Sequence, residues 1–560
     1  MKEVIATAIR DALQTLNLEV GDFTIEHPGE SEHGDYATNV AMAAAQAAGV
    51  NPRELAEKIV AALEGSIEYV DRIEVAGPGF INFYMTRDFF TTEVARIKEC
   101  GESWGTNSDW KDKNVIVEYT DPNPFKELHI GHLVPNALGE SLARLFMTAG
   151  ANTKRVTFQG DVGMHVAKAI YGLKQLGHSS EAGFDAAALG AAYAAGATAF
   201  EDDESIATEI KALNKMIYER SDEVINELYD YGKEISLQYF EAAYQILGSE
   251  FDHNFFESVT GPVGLELVKD NIGTVFTESD GAVIFKGEDH GLHTRVFVNK
   301  EGLPTYEAKD MGLIKCKHDW QPFDLAITVT GTEQTEYFKV TTKASELVQP
   351  DLAGRVELVP NGMLRLSEGK MSSRTGNIVR ALALIDDVKA AALERMSERG
   401  ITNPEAVAEQ VAVAAIKYTI LRIAAGKDII FDLKQSVSFE GDSGPYLQYT
   451  HARICSVLAK AAEAGVEGDI STAPDSIYEV ERALYQYPEV LAAALNDRAP
   501  HRLVTYLTEL ASAFNSFYAT EKIADSSDLH APYKVMVANA VKQTLKNGLW
   551  ILAIEAPESM

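Results

Sequence analysis

The stretch Val115-Ile-Val-Glu-Tyr-Thr-Asp-Pro-Asn-Pro-Phe-Lys-Glu-Leu-His-Ile-Gly-His-Leu133 joins two kinds of pattern. The β-branched run from Val115 to Val117 is typical of a buried strand, and the two prolines that follow it break that strand. Apolar periodicity from Leu133 to Phe146 predicts a helix. The stretch therefore predicts a strand, a turn and a helix in succession, as found in open parallel α/β sheets.

Two histidines lie at this strand-to-helix turn. His129 and His132 flank Gly131, whose lack of a side chain lets a ligand lie close to the backbone. Ligands of open parallel sheets bind at such turns, where the helix N-terminus offers unpaired N–H groups to phosphate. Two imidazoles that donate to a phosphate chain suit charge stabilisation in phosphoryl or nucleotidyl transfer. An ordinary helix-capping turn is the alternative explanation of the motif.

A second stretch, Glu368-Gly-Lys-Met-Ser-Ser-Arg-Thr-Gly-Asn377, follows another strand candidate, Val356 to Val359. Together the two stretches resemble the His-Ile-Gly-His and Lys-Met-Ser-Lys-Ser signatures of class I aminoacyl-tRNA synthetases, and they occur in that family's order. The resemblance implies a Rossmann-like catalytic domain that uses ATP with Mg²⁺ as its substrate. It assigns ATP binding to His129, Gly131, His132, Lys370, Met371, Ser372 and Ser373.

Length and composition are those of an ordinary multidomain chain. The 560 residues are 46% apolar and 24% charged. The sequence has neither a signal-peptide core nor a membrane-spanning apolar run, so we expect a cytoplasmic protein with no membrane partner. The three cysteines are scattered without a Cys-x-x-Cys, which argues against a disulfide framework and against a zinc site.

The net charge of −33 is unusual for a protein that binds nucleic acid, because phosphate contacts need lysine and arginine. The summed charge does not describe the local field, however. Much of the acid lies in runs such as Glu201-Asp-Asp-Glu204, which are typical of solvated faces. The net charge therefore does not exclude a tRNA partner.

Further segments resemble one family among the class I enzymes, the arginyl-tRNA synthetases. Gly34 to Ala41 and Ile73 to Phe83 resemble its additional N-terminal domain, which contacts the tRNA elbow. For the aromatic residues Tyr36, Phe80 and Phe83, a place in the core is the alternative. The stretch Glu440-Gly-Asp-Ser-Gly-Pro-Tyr-Leu-Gln-Tyr-Thr-His-Ala-Arg-Ile-Cys455 resembles the start of the family's helical anticodon-binding domain.

These resemblances predict an α/β multidomain fold. A Rossmann-like parallel-sheet catalytic domain is expected at 109–380, with a helical insertion at about 172–260. An N-terminal α/β domain is expected at 1–108. A helical connector at 381–438 then leads to a C-terminal α-helical bundle at 439–560, which would bind the anticodon.

Recognition of arginine needs carboxylates and other acceptors, placed for forked hydrogen bonds to a planar, permanently charged guanidinium. The positions that hold the amino acid in arginyl-tRNA synthetases are matched in order by Glu118, Asn123, Tyr306, Asp310 and Gln334. For the carboxylates, a solvated or ion-paired state is the alternative. A pocket of this kind would reject isosteres that lack the guanidinium, because its buried carboxylates would remain unpaired.

Two positions depart from the general class I pattern. Ser373 replaces the second lysine of the signature loop. Arginyl-tRNA synthetases often lack that lysine and carry one just ahead of the His-Ile-Gly-His turn, where Lys126 stands here. The turn Gly160-Asp-Val-Gly163 resembles the family's Gly-Asp-Trp-Gly turn but lacks the tryptophan.

The resemblance implies two-step chemistry without a covalent enzyme intermediate. L-arginine and ATP would give arginyl-adenylate and pyrophosphate, and tRNA(Arg) would then accept the arginyl group; the family also implies that activation needs bound tRNA. The residues expected to stabilise charge on the phosphates are Lys126, His129, His132 and Lys370. We expect a monomer. The alternatives are a class I synthetase for another amino acid, a non-catalytic synthetase-like protein that binds tRNA or a protein, and a small nucleotidyltransferase.

Overall fold

The computed structural model describes residues 1–18, 21–367, 379–396 and 403–560. The contacts of these residues divide the chain into two compact units. The first comprises Met1–Trp104, Ile454–Tyr487 and Glu509–Thr544, and the second comprises Gly105–Arg453, Pro488–Thr508 and Leu545–Met560. Both units therefore draw on C-terminal sequence that is distant from their main segment.

The N-terminal part of the first unit is an α/β fold, as predicted. Its elements are α1 Lys2–Thr15, β1 Ile25–Glu26, β2 Tyr36–Thr38, α2 Val40–Ala48, α3 Pro52–Leu63, β3 Val70–Ala76, β4 Phe80–Met85 and α4 Arg87–Cys100. The four strands form an antiparallel sheet in the order β1-β2-β4-β3. Tyr36 and Phe83 are buried in the core of this unit, which is the alternative considered for them, whereas Phe80 is half-buried at the start of β4.

Helix α3 shows how local sequence determines an element. Pro52 occupies its first turn, and the side chain of Asn51 accepts hydrogen bonds from the N–H groups of Arg53 and Glu54. These bonds satisfy N–H groups that have no partner within the helix, and proline at this position loses no hydrogen bond. The start of α3 at Pro52 therefore follows from its local sequence.

The second unit contains the parallel sheet. Its elements up to the end of the helical segment are β5 Asn114–Glu118, α5 Leu133–Thr148, β6 Asn152–Gln159, α6 Met164–Gln175, α7 Ala186–Asp202, α8 Glu204–Glu219, α9 Glu223–Leu247, β7 His253–Phe256 and α10 Glu257–Asp270. The elements that follow are β8 Thr277–Ser279, β9 Ala282–Phe285, β10 Arg295–Val298, α11 Tyr306–Trp320, β11 Leu325–Gly331, α12 Thr335–Val348, β12 Val356–Asn361, β13 Leu364–Leu366, α13 Ala381–Met396, α14 Pro404–Leu421, β14 Ile429–Phe431 and α15 Leu433–Ser436.

The order of the strands indicates where this sheet binds ligands. Five parallel strands lie in the order β12-β11-β5-β6-β7, and Val115 of β5 is in register with Thr153 of β6 and with Leu325 of β11. The chain moves outward from β5 through β6 to β7 and then returns to the other side of β5 with β11. This reversal places a topological switch point between β5 and β11, and crevices at such points are the usual ligand sites of open α/β sheets.

The C-terminal part of the chain is helical. Its helices are α16 Gly444–Glu463, α17 Glu479–Leu484, α18 Tyr487–Asn496, α19 His501–Thr520 and α20 Ala531–Ile551. With the N-terminal α/β fold and the parallel sheet, these helices confirm the predicted fold class. Among the described residues, no helix has the length and apolar character that crossing a membrane requires.

One element departs from expectation. The insertion predicted to be helical, at about 172–260, also contains the edge strand β7, His253–Phe256. This strand has four residues, too few to show a reliable alternation of apolar and polar side chains. It is stabilised by parallel pairing with Val156–Gln159 of β6, a contact between residues about one hundred positions apart. Local sequence does not encode such a contact.

Candidate active site

The turn that follows β5 has an unusual backbone. Thr120, Asp121 and Phe125 have φ values of 75°, 45° and 67°, in the left-handed region that L-residues rarely adopt. Contacts on both sides stabilise this conformation. The N–H of Phe125 donates to the hydroxyl of Ser236 on α9 at 2.9 Å, and Asp121 Oδ1 accepts from the N–H of Phe158 on β6 at 2.8 Å. Strained backbone of this kind concentrates at functional sites.

The two histidines form a short 3-10 helix, Ile130–His132, with His129 at its cap. Nδ1 of His129 accepts from the N–H of Gly131 at 3.0 Å, and Nδ1 of His132 accepts from the N–H of His129 at 3.1 Å. Since each Nδ1 is an acceptor, each Nε2 carries the hydrogen of the neutral ring. The rings lie with their centroids 3.9 Å apart. The turn is thus a helix cap and a pair of Nε2–H donors at once.

Both imidazoles are neutral at physiological pH. Burial and the nearby Lys126 ammonium lower the pKa of His129. Burial and the neighbouring His129 lower the pKa of His132 to about 3. Neutral rings donate through Nε2 without adding a positive charge, and their protonation does not change around neutral pH.

Lys126 and the residues that follow the second signature stretch, Val379 to Ala381, also lie at this turn. The Lys126 ammonium is 4.6 Å from the centroid of the Tyr193 ring on α7. The N–H of Ile130 donates to the carbonyl of Val379 at 3.0 Å, and the N–H of Ala381 donates to the carbonyl of Leu128 at 2.8 Å. The chain therefore reaches the histidine turn immediately after residue 378. The predicted residues Lys370, Met371, Ser372 and Ser373 lie outside the described residues.

A cavity of about 250 Å³ opens at the carboxyl ends of β5 and β11, and we call it the carboxylate cavity. Four of the five predicted arginine-binding residues line it: Glu118, Asn123, Asp310 and Gln334. Further polar residues of its wall that the sequence did not suggest are Asp121, Glu257, Lys317, Glu333 and Tyr337. The fifth predicted residue, Tyr306, is not part of this lining; it is exposed at the first position of α11, with its ring beside the ammonium of Lys309.

Two internal ion pairs neutralise part of the cavity's charge. Glu118 pairs with Lys317, and their side chains are only 4% and 2% exposed. Glu118 therefore has the ion-paired state that is the alternative to a direct contact with arginine. Glu257 pairs with Lys309 at 2.7 Å, and burial raises the pKa of the Glu257 carboxyl. Buried carboxylates normally carry such partners, because an unpaired charge in the interior is costly.

Asp310 differs from these two carboxylates. Its Oδ2 accepts a 2.6 Å hydrogen bond from the hydroxyl of Tyr337. Burial raises the pKa of Asp310 to about 7, with Glu118 and Glu257 acting in the same direction and Tyr337 opposing them. Burial and the nearby Glu118 also raise the pKa of Asp121 well above its ordinary value. The cavity thus holds acidic groups that would gain from a bound cation.

The turn after β6 contributes to the cavity through Gly160. A Cβ at this position would lie 2.4 Å from Oδ1 of Asn123 and 3.3 Å from Oε1 of Glu257, so a side chain here would displace the Asn123 amide. The next residue, Asp161, has a structural role. Its carboxylate accepts from Tyr229, Lys233 and Ser258 at 2.7–2.9 Å, and despite its burial the hydrogen bonds from Lys233 and Ser258 lower its pKa.

The missing tryptophan of this turn has a simple replacement. Val162, at its position, is buried in a hydrophobic cluster formed with residues of helices α6 to α9. The position therefore serves packing. Among the described residues, no group of three histidine, cysteine, aspartate or glutamate side chains is arranged to hold a metal ion.

Comparison with known families agrees with this geometry. The profile of the family "tRNA synthetases class I (R), catalytic domain" matches residues 99–433. The chain belongs to the class I arginyl-tRNA synthetase family. The profile "Arginyl tRNA synthetase N terminal domain" matches residues 3–85, and the profile "DALR anticodon binding domain" matches residues 447–560.

Relatives of this family match over the full chain. The arginine–tRNA ligase of Clostridioides difficile is 30% identical over 575 residues, covering 100% of this chain and 99% of its own length. That of Clostridium perfringens is 29% identical over 577 residues, covering both chains completely. Among solved structures, the arginyl-tRNA synthetase of Thermus thermophilus matches with a TM-score of 0.84 at 24% identity, covering 100% of both chains. The latter shows that the fold is shared.

Some of the cavity residues that the sequence did not suggest lie at helical spacing from predicted residues. Tyr337 stands three positions after Gln334, and Lys317 stands seven positions after Asp310, so helical spacing could have identified both as neighbours of predicted residues. Glu257 offers no such signal, because it reaches the cavity from the start of α10 through the pairing of β7 with β6.

Proposed function

We propose that this chain is an arginine–tRNA ligase that activates L-arginine with ATP and transfers the arginyl group to the 3′ end of tRNA(Arg). The observation that carries the proposal is the arrangement at the switch point of the sheet. A cavity lined by carboxylates, suited to a guanidinium, lies at the carboxyl ends of β5 and β11, and a turn of neutral N–H donors, suited to phosphates, follows β5 in the chain. These two surfaces complement the two substrates of arginine activation.

In the first step, a carboxylate oxygen of arginine attacks the α-phosphate of ATP, the bond to the β-phosphate bridge breaks, and pyrophosphate leaves. His129 and His132 would donate through Nε2 to the phosphate oxygens as charge moves onto the leaving group, and Lys126 would add a positive charge beside them. Lys370 is proposed to act on the same phosphates. Magnesium enters with ATP as part of the substrate. Positioning and charge stabilisation would supply most of the rate enhancement.

In the second step, a hydroxyl of the terminal tRNA ribose attacks the carbonyl carbon of arginyl-adenylate and AMP leaves. We propose that the N-terminal domain, 1–108, contacts the tRNA elbow and that the bundle at 439–560 binds the anticodon, with the catalytic domain at 109–380 and the connector at 381–438. The matched family ranges support this division. We further propose that one copy of the chain suffices, which sedimentation of the complex with one tRNA would test.

Arginine would occupy the carboxylate cavity with its guanidinium toward Asp310 and its carboxylate toward the histidine turn. Asn123 and Gln334 would hold it from the turn after β5 and from the turn before α12, and Tyr306 would cover it from outside the cavity wall. The internal pair with Lys317 leaves Glu118 a supporting role in this arrangement. The acidic wall would favour arginine over neutral isosteres, which could not satisfy its carboxylates.

The proposal is tested by ATP–pyrophosphate exchange on the purified protein, with each amino acid in turn, in the presence and absence of total tRNA. Exchange with arginine alone, dependent on added tRNA, is the expected result. Exchange with a different amino acid would show that this amino acid, and not arginine, is the substrate. Folded protein that binds tRNA but gives no exchange with any amino acid would favour a non-catalytic role.

A further inference from the structure

Two parts of the carboxylate cavity are carried by different elements. Asp310 lies on α11, and Gln334 lies on the 3-10 turn that begins α12. Tyr337, in the first turn of α12, spans this junction, since its hydroxyl donates to Asp310 Oδ2 at 2.6 Å. A single hydroxyl thus connects the carboxylate on α11 to the helix that begins with Gln334.

The ring of Tyr337 is itself held in place. The guanidinium of Arg295 on β10 lies 5.4 Å from its centroid, and Arg295 forms an ion pair with Glu307 at 3.2 Å. The backbone carbonyl of Tyr337 also accepts a hydrogen bond from the Thr341 side chain. The guanidinium favours this orientation of the ring, in which the hydroxyl reaches the Asp310 carboxylate.

The other charged groups around Asp310 form two ion pairs with one another. Glu118 of β5 and Glu257 of α10 face it, and both are acidic. Lys317, on α11 itself, pairs with Glu118, and Lys309 pairs with Glu257. Asp310 therefore lies among two ion pairs with a neutral hydroxyl as its hydrogen-bond donor. Lys317 attracts Asp310 only at a distance, and no lysine of the described residues forms an ion pair with it. A guanidinium that enters the cavity therefore need not displace a described ammonium from this carboxylate.

We propose that Tyr337 is a positioning residue for arginine recognition: its hydroxyl orients the Asp310 carboxylate so that the guanidinium meets a fixed acceptor. The inference rests on the proposed function and adds a residue to it. One oxygen of Asp310 is held by Tyr337, and each carboxylate oxygen has two lone pairs, so both oxygens remain able to accept from a forked donor. A fixed acceptor lowers the loss of side-chain entropy on binding.

The hydroxyl also affects the charge of Asp310. Its hydrogen bond acts against burial and lowers the pKa of that carboxyl. Without the hydroxyl, Asp310 would remain protonated to a higher pH. Because only the ionised carboxylate attracts the arginine cation strongly, the pH at which arginine binding weakens should move upward.

The test is the Tyr337→Phe variant, which keeps the ring beside Arg295 and removes the hydroxyl alone. Arginine KM in ATP–pyrophosphate exchange is expected to rise about tenfold, the effect of losing a hydrogen bond to a charged group. The kcat at saturating arginine and the KM for ATP should change less than about twofold. The profile of arginine KM against pH should shift to higher pH, which a purely structural role of Tyr337 would not produce.

Tyr229→Phe is the matched control, because it removes a hydroxyl that donates to another aspartate, Asp161, at 2.8 Å. It should leave arginine KM and its pH profile unchanged. In an Asp310→Asn background, Tyr337→Phe should cause no further pH shift. The role of Tyr337 would be overturned if the wild-type protein showed arginine-dependent exchange and the Tyr337→Phe variant had the same arginine KM and the same pH profile. Wild-type protein without arginine-dependent exchange would overturn the proposed function, and this inference with it.

Discussion

The histidine turn and the carboxylate cavity lie at the same edge of one sheet. Burial favours the neutral form of the titratable groups in both regions and therefore shifts their pKa values in opposite directions. Burial lowers the pKa of His129 and His132 and raises that of Asp310 to about 7. The imidazoles therefore stay neutral donors throughout the physiological range, whereas Asp310 changes charge within it. The turn therefore offers the same neutral donors to an anionic ligand throughout the physiological pH range. The cavity becomes fully charged when a cation binds.

The largest effect is expected from His132→Ala. It removes one Nε2–H donor from the turn, and the loss of one donor to a developing negative charge lowers kcat by about 10²–10³-fold. Arginine KM should change little, because the cavity is untouched. Exchange kinetics would check both values, with the exposed His33→Ala variant as control. A large change in arginine KM with an unchanged kcat would remove the distinction between the two regions.

The next effect is expected from Asp310→Asn. Loss of a charged acceptor for the guanidinium should raise arginine KM about 10- to 100-fold, which corresponds to about 1.5–3 kcal/mol. The free energy of unfolding should not fall, because the ionised carboxylate is disfavoured in this buried position. Denaturant unfolding and exchange kinetics measure the two quantities.

Asp161→Asn is the matched control for that variant. Its carboxylate is ionised, with a lowered pKa, and pairs with Lys233 at 2.8 Å, so removing the charge should lower the unfolding free energy and leave arginine KM as it was. If both asparagine variants lowered the free energy of unfolding and left arginine KM unchanged, Asp310 would be a structural carboxylate like Asp161.

The pH dependence of the two substrates should also separate the regions. Protonation of Asp310 below pH 7 weakens its attraction for arginine, so arginine KM should rise about tenfold from pH 8 to pH 6. The KM for ATP should remain nearly constant over that range, because His132 has a pKa of about 3. A parallel rise in both KM values would indicate a shared titrating group.

The smallest effects are expected from adding one methyl group to each region. A Cβ on Gly131 would lie 2.7 Å from Cε1 of His129, and one on Gly160 would lie 2.4 Å from Oδ1 of Asn123. Overpacking at its lower cost of about 1 kcal/mol corresponds to about fivefold in KM. Gly131→Ala should raise the KM for ATP, and Gly160→Ala the KM for arginine. Equal effects of both variants on both substrates would argue against separate sites.

Local patterns predicted the parts of the fold that local physics determines. The β-branched run of β5, the prolines after it and the start of α5 at Leu133 agree with the structure, with Pro135 in the first helical turn, where its missing N–H is tolerated. Strand β11, Leu325–Gly331, is buried over its first five residues, as its apolar sequence favours for a strand of a parallel sheet.

What the sequence did not reveal depends on contacts between distant residues. The pairing of Glu118 with Lys317 needs β5 and α11 to meet, and the bond from Tyr337 to Asp310 needs α12 to face α11. A family motif names the residues of a site. It does not say which of them pair internally and which are left to bind a ligand, because that depends on burial and on every neighbouring charge.

The most direct test of this account is the number of protons released when arginine binds, measured by titration calorimetry at pH 7 in buffers of different ionisation enthalpy. If binding charges Asp310, about half a proton should be released, since its pKa is about 7, and release should disappear in Asp310→Asn. Arginine binding without proton release in the wild-type protein would show that Asp310 is already charged in the empty cavity and would contradict the contrast between the two regions.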